Sequence, residues 1–174
     1  MTRGEGGQKV EKLRDIFYEM SLFFFSDQSL MNLFGCAFYE ICQMSMKSEQ
    51  GKYVSAMGYH DRYEANANAE TIGSDEIWEV IFKGDDKVSL KGAHGRYLRA
   101  YGNGQVKADA EKPNPWETFI VEDMGNGKLA FLSFSAFSHY QKKKYLTAES
   151  DGALTNQDAS EAGIKFEIVP AAGK

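Results

Sequence analysis

One short pattern returns three times along this chain. Gly51-Lys52-Tyr53-Val54-Ser55-Ala56 reappears as Gly95-Arg96-Tyr97-Leu98-Arg99-Ala100 and again as Lys143-Lys144-Tyr145-Leu146-Thr147-Ala148. The tyrosines stand 44 and then 48 residues apart. A repeat of this period constrains the fold strongly, because a unit so short cannot bury its own apolar face and has to share a core with its copies. Each copy runs on to a large aromatic, a spacer and a branched aliphatic: Trp78-Glu79-Val80, Phe119-Ile120-Val121 and Phe166-Glu167-Ile168. Upstream of each tyrosine lies an alternating apolar pair: Met44 and Met46, Val88 and Leu90, Leu129 and Phe131. Asn66, Ala108 and Asn156 mark a further alternating run inside each copy.

Period-2 alternation with turn residues every few positions reads as short strands, about four of them in each repeat of roughly 42 residues. Three such units predict an all-β fold, a β-trefoil of twelve short strands in three pseudo-symmetric repeats over residues 44–170. The aromatics Trp78, Phe119 and Phe166 and the aliphatics Val54, Leu98, Leu146, Val80, Val121 and Ile168 are expected to meet near a common axis. Burying each is worth roughly 1.5–3 kcal/mol. A seven-stranded sandwich is the structural rival, but it leaves the threefold motif unexplained. Asn103-Gly104 and Asp151-Gly152 fall at matching places and read as two-residue hairpin turns. Asp85-Asp86 and Asn126-Gly127 join successive repeats, and Phe134–Gln141 reads as an insertion within the third.

Residues 1–43 stand apart as an N-terminal extension. Val10, Leu13, Phe17, Met20 and Phe24 follow helical 3,4 spacing, and Leu30, Leu33, Ala37, Ile41 and Met44 repeat it. Residues 9–42 are therefore expected to form two amphipathic helices, the second capped by Ser26 or Asp27. Glu19 and Ser26-Asp27-Gln28-Ser29 interrupt the apolar run, so no piece approaches the roughly 18 residues of a membrane-spanning helix. The apolar faces can pack on the trefoil, pair two copies of the chain as a homodimer through residues 9–42, or rest on a membrane surface. A start at Met44 or Met46 is also compatible with the pattern.

Charge narrows the partners. The 174 residues carry a net charge of −5, and residues 44–170 hold 15 Lys and Arg against 19 Asp and Glu. Whole-surface binding to nucleic acid is thereby disfavoured, and an acidic partner has to be met by a local basic patch. The densest patch is Lys142-Lys143-Lys144, with His139 and Tyr140 just before it; the alternative for these residues is a solvated hairpin tip. Arg99 and Lys107 are a candidate cross-strand basic pair. Trp116, in Pro113-Asn114-Pro115-Trp116, reads as a rim residue beneath the barrel or as an exposed platform for a sugar ring. Cys36 and Cys42 have no disulfide or metal spacing and read as reduced thiols, and His60, His94 and His139 do not converge by repeat position. There is no nucleophile elbow, zinc-protease motif or phosphate loop, so neither an enzyme nor a cofactor is expected. The absence of an Asn-x-Ser/Thr sequon favours an intracellular location.

Lys52-Tyr53-Val54-Ser55-Ala56, Glu64-Ala65-Asn66-Ala67-Asn68-Ala69 and Ile77-Trp78-Glu79 together resemble the first repeat of a fascin-type trefoil. Val88-Ser89-Leu90, His94-Gly95-Arg96-Tyr97-Leu98 and Phe119-Ile120-Val121 resemble the second. The resemblance implies a cytoplasmic, actin-binding protein of the cytoskeleton; fascins bundle filaments with four such trefoils, and this chain has length for one. It departs from the actin-bundling members at Ser74-Asp75-Glu76, acidic where the resemblance implies a basic run. Glu76-Ile77-Trp78, Glu117-Thr118-Phe119 and Ile164-Lys165-Phe166 lack the Gln-x-Trp signature of ricin-type lectins, yet carbohydrate binding remains the alternative function, beside a scaffold that self-associates through its helices.

Overall fold

The computed structural model describes residues 41–83, 86–158 and 162–170. The two expected helices of residues 9–42 lie outside the described residues, as does Cys36, except at their last two positions. There the expectation is corrected: Ile41 and Cys42 open a strand, and the trefoil begins three residues earlier than the repeat pattern places it. Met44 matches the 3,4 helical series and also the Met44/Met46 alternation of a strand. Backbone pairing on both sides decides the matter, because Cys42 faces Val80 and Met46 faces Ile168.

Twelve strands follow among the described residues: β1 (Ile41–Lys47), β2 (Tyr53–Tyr59), β3 (Arg62–Ala69), β4 (Trp78–Phe82), β5 (Lys87–Lys91), β6 (Tyr97–Ala100), β7 (Val106–Ala110), β8 (Phe119–Asp123), β9 (Lys128–Ser133), β10 (Lys144–Ala148), β11 (Leu154–Asp158) and β12 (Phe166–Pro170). β1 pairs with β4 and β12, β5 with β4 and β8, and β9 with β8 and β12. These six antiparallel strands close a ring, so the barrel has no open edge. The pairs β2–β3, β6–β7 and β10–β11 are the three hairpins of the trefoil. Closure rules out the sandwich.

The core is the one the alternation predicts. Trp78, Phe119 and Phe166 are fully buried, with Val54, Leu98 and Leu146 beside them. All three upstream pairs, Met44/Met46, Val88/Leu90 and Leu129/Phe131, are buried as well. Phe131 meets Phe119 edge-on at 6.5 Å and Phe166 at 6.1 Å. The buried Trp78 indole donates to the Val54 carbonyl at 3.0 Å, which removes the cost of an unpaired N–H.

The hairpins join one another through backbone bonds: Ala67 N donates to Gly152 O, and Asn156 N to Gly104 O. Their turns differ from expectation. Tyr101 N donates to Gln105 O and Gly104 N to Tyr101 O, giving a three-residue loop that ends on Gly104 at φ +92°. Glu149 to Ala153 repeats it, with Gly152 at φ +86°. The glycine thus takes the left-handed position after the turn, where an L side chain is strained. The tight two-residue turn is in the first hairpin instead. There Tyr59 pairs directly with Arg62 across His60 and Asp61, at φ 43° and 65°. The expected insertion after β9 is a helical segment, α1 (Phe134–Tyr140).

Candidate functional site

The three repeats place a short turn before β4, β8 and β12, and the residue two positions ahead of the core aromatic looks back at the start of the hairpin. These positions are Glu76, Glu117 and Ile164; the first two face the equivalent Ser55 and Arg99. In the first two repeats the segment is a single 3-10 turn, Ser74–Glu76 and Pro115–Glu117.

In repeat 1 the arrangement is closed. Glu76 is buried; its Oε1 accepts from Ser55 Oγ at 2.5 Å and its Oε2 from Gly73 N at 2.7 Å. Both carboxylate oxygens are satisfied inside the fold, as a buried charge requires. Beside it, His94 from the next repeat rests on Gly58, and its Nε2 lies 3.2 Å from Asp75 Oδ1. In repeat 3 the position is apolar: Ile164 is buried with Ala130, Leu132 and Tyr145.

Repeat 2 is left open. Glu117 is 1% exposed, and its Oε1 accepts from Arg99 Nε at 2.5 Å. Its Oε2 is buried with no hydrogen-bond partner. The backbone N–H equivalent to that of Gly73 belongs to Asn114, and it donates to Lys112 O instead. Arg99 Nη1 donates to the Tyr101 hydroxyl at 3.2 Å, and that hydroxyl donates to Asp109 Oδ2 at 2.6 Å. Asp109 Oδ1 lies 3.8 Å from Arg99 Nε. Burial works against the Arg99 charge, but the bonds to Glu117 and Tyr101 outweigh it and hold the guanidinium more firmly protonated than usual. Burial, then the bond to Asp109, pushes the Tyr101 phenol up. Trp116 stands at the turn, 38% exposed, with its outer ring atoms over Gly102. Arg99, Tyr101, Gly102, Asn103, Asn114, Trp116 and Glu117 line a cavity of about 390 Å³.

A second cavity, of about 700 Å³, lies among the three hairpins, with Glu64, Lys107, Lys144 and Asp158 on its walls. Asn156, 2% exposed, lines it and leaves its Oδ1 unpaired.

The sequence-predicted residues therefore separate into groups. Arg99 and Lys107 are partners in strand register, but they do not form a basic patch. Arg99 is neutralised by Glu117 and Asp109 and lines the smaller cavity with Trp116, while Lys107 lines the larger one with Lys144. Lys144 faces Asp158 across the β10–β11 pair. Lys142 and Lys143 are exposed after α1 and form no ion pair with a described residue. His139 belongs to α1, with its side chain outside the described residues. No group of three or more metal-ligating side chains gathers among the described residues. Glu117, Tyr101, Asn103 and Asn114 were not candidates from sequence. Their signal was the Glu76/Glu117/Ile164 alignment, whose meaning depends on what each carboxylate finds to bond.

The fascin-domain family model matches residues 26–121. No curated protein matches the chain significantly. Among solved structures, the crystal structure of a designed threefold-symmetric protein, ThreeFoil, is similar with a TM-score of 0.63 at 14% identity, covering 74% of this chain and 99% of that one. At that identity the likeness speaks for the trefoil fold alone.

Proposed function

The chain belongs to the fascin-domain family, and from that premise we propose that it is a non-enzymatic module that binds actin filaments in the cytoplasm. The family domain is the observation that carries the reading. The surface adds a contact suited to an acidic filament: Lys142 and Lys143 project from the loop after α1 without ion-pair partners among the described residues. Unpaired exposed cations of this kind attract an acidic partner over roughly a Debye length and are screened by salt. The acidic Ser74–Glu76 turn does not serve as the contact, because Glu76 is consumed by Ser55 and Gly73. Crosslinking two filaments would call either on pairing of two copies through the segment before β1 or on two sites on one trefoil. No helix among the described residues is long and apolar enough to cross a membrane.

Co-sedimentation with filamentous actin tests the reading. The full chain is expected to pellet at low ionic strength and to be released as salt rises. The Lys142→Glu/Lys143→Glu double variant is expected to stay in the supernatant. If the unaltered chain fails to pellet at micromolar concentration in low salt, the reading is wrong.

A further inference from the structure

We propose that the cavity of repeat 2 binds one neutral polyhydroxylated ring, a pyranose unit of a saccharide, between the Trp116 indole and the Glu117–Arg99 pair. The site is independent of the filament contact. Three observations point to it.

The first is Glu117. A buried carboxylate oxygen without a donor is costly, because it keeps the full desolvation penalty with no bond to offset it. The fold has a solution for this position and uses it in repeat 1, where Gly73 N supplies the donor. In repeat 2 the equivalent N–H is turned to Lys112 O, and Oε2 of Glu117, a residue on the cavity wall, is left buried without a donor. A ligand O–H is such a donor.

The second is the company Glu117 keeps. Arg99 spends Nε on Glu117 and Nη1 on Tyr101; its remaining N–H groups have no partner among the described residues. An empty acceptor thus adjoins unused donors, which suits hydroxyl groups, since each can give and take a hydrogen bond. The Asn103 carboxamide, whose oxygen accepts from Gln105 N, keeps its NH2 for the same use. The charges of Arg99 and Glu117 cancel, and Asp109 is engaged by Tyr101 and Arg99. A cationic ligand would meet the guanidinium, and an anionic one would meet two carboxylates. A neutral ring meets neither penalty.

The third is Trp116. A 38% exposed indole on a glycine, beside a polar recess, offers an apolar plate to the C–H face of a sugar. A cavity of about 390 Å³ is at the small end of ligand sites and fits one ring with its edge in solvent.

The two tryptophans make the test direct, because Trp78 is sealed in the core on Val54 O and Trp116 is not. The full chain, labelled with nitrogen-15, is titrated with methyl pyranosides of the gluco, galacto and manno series and their N-acetyl derivatives, with trimethyllysine as a cationic comparison. At least one pyranoside is expected to move the Trp116 indole N–H signal while the Trp78 signal stays fixed. Trp116→Ala should weaken binding, followed by backbone amides near Gly102, by about tenfold. Glu117→Gln should weaken it comparably, and Asn103→Ala serves as a surface variant with no buried group at stake. The proposal is overturned if no pyranoside shifts Trp116, if only trimethyllysine does, or if the Trp116→Ala and Asn103→Ala variants, with Trp78 signals unchanged, bind as the parent chain does. None of these outcomes bears on actin pelleting.

Discussion

Repeats 1 and 2 meet the same backbone problem in two ways. Each carries a carboxylate two residues ahead of its core aromatic, buried under a 3-10 turn. Glu76 closes its shell with Ser55 and Gly73, and His94 fills the space over Gly58. Glu117 closes half of its shell with Arg99, and the space over Gly102 is a cavity roofed by Trp116. Repeat 3 avoids the problem with Ile164. A polar group satisfied from within the chain serves stability. The same group left half-satisfied beside an opening is available to a ligand. The symmetry of the fold supplies its own controls, and substitutions at equivalent positions separate the two roles.

Among the equivalent turn positions the largest expected effect is at the closed carboxylate. Glu76→Ala removes the acceptor of two buried hydrogen bonds and leaves Ser55 Oγ and Gly73 N without partners, so urea unfolding should show a loss on the order of 2–4 kcal/mol. Glu117→Ala should cost about half of that or less, since it also removes an unsatisfied oxygen and Arg99 retains Asp109 and Tyr101. If the two variants lose equal stability, the distinction between a closed and an open shell fails.

A second comparison sets the third repeat against the other two. Tyr53 and Tyr97 pair in register with Lys47 and Lys91, whose ammonium groups lie 5.7 and 5.9 Å from the ring centres. Tyr145 pairs with Leu132 and sinks to 5% exposure, with its hydroxyl on Glu122. Burial, then the bond to Glu122, pushes its phenol up to about 12. Below about pH 10 the group is protonated both folded and unfolded, and its contribution is fully present. Above that, the unfolded chain ionises first, and stability is lost as pH climbs towards about 12, by on the order of 2 kcal/mol. Tyr145→Phe should flatten this alkaline limb of the unfolding profile; an unchanged limb would mean that Tyr145 does not govern it.

Most of the architecture was readable in the chain because it rests on spacing. Tyr53, Tyr97 and Tyr145 set the period, and the alternating pairs down to Leu129 and Phe131 set the register. What escaped was decided by tertiary partners. Ile41 and Cys42 share their residue types with a helix and become strand through pairing with Ile81 and Val80. His60-Asp61 carries no signal for a two-residue turn, whereas Asn103-Gly104 carries a strong one and is used in a longer loop. At the cavity, Arg99 and Trp116 stood out as single residues, one by charge and one by size. Their meeting around Glu117 depends on hydrogen bonds that no spacing encodes.

The smallest expected effect is on the stability of Trp116→Ala. If the indole were a structural lid, truncation would uncover apolar surface and cost as much as a core aromatic, roughly 3–5 kcal/mol. Its 38% exposure and its seat on Gly102, which offers no side chain to pack against, place it with surface residues, whose substitutions stay within about 0.5 kcal/mol. Thermal unfolding of Trp116→Ala beside Trp78→Ala measures the contrast between the two tryptophans. A nearly unchanged midpoint for the first and a large drop for the second are expected. A drop of similar size in both would make Trp116 part of the core and leave Glu117 sealed beneath it.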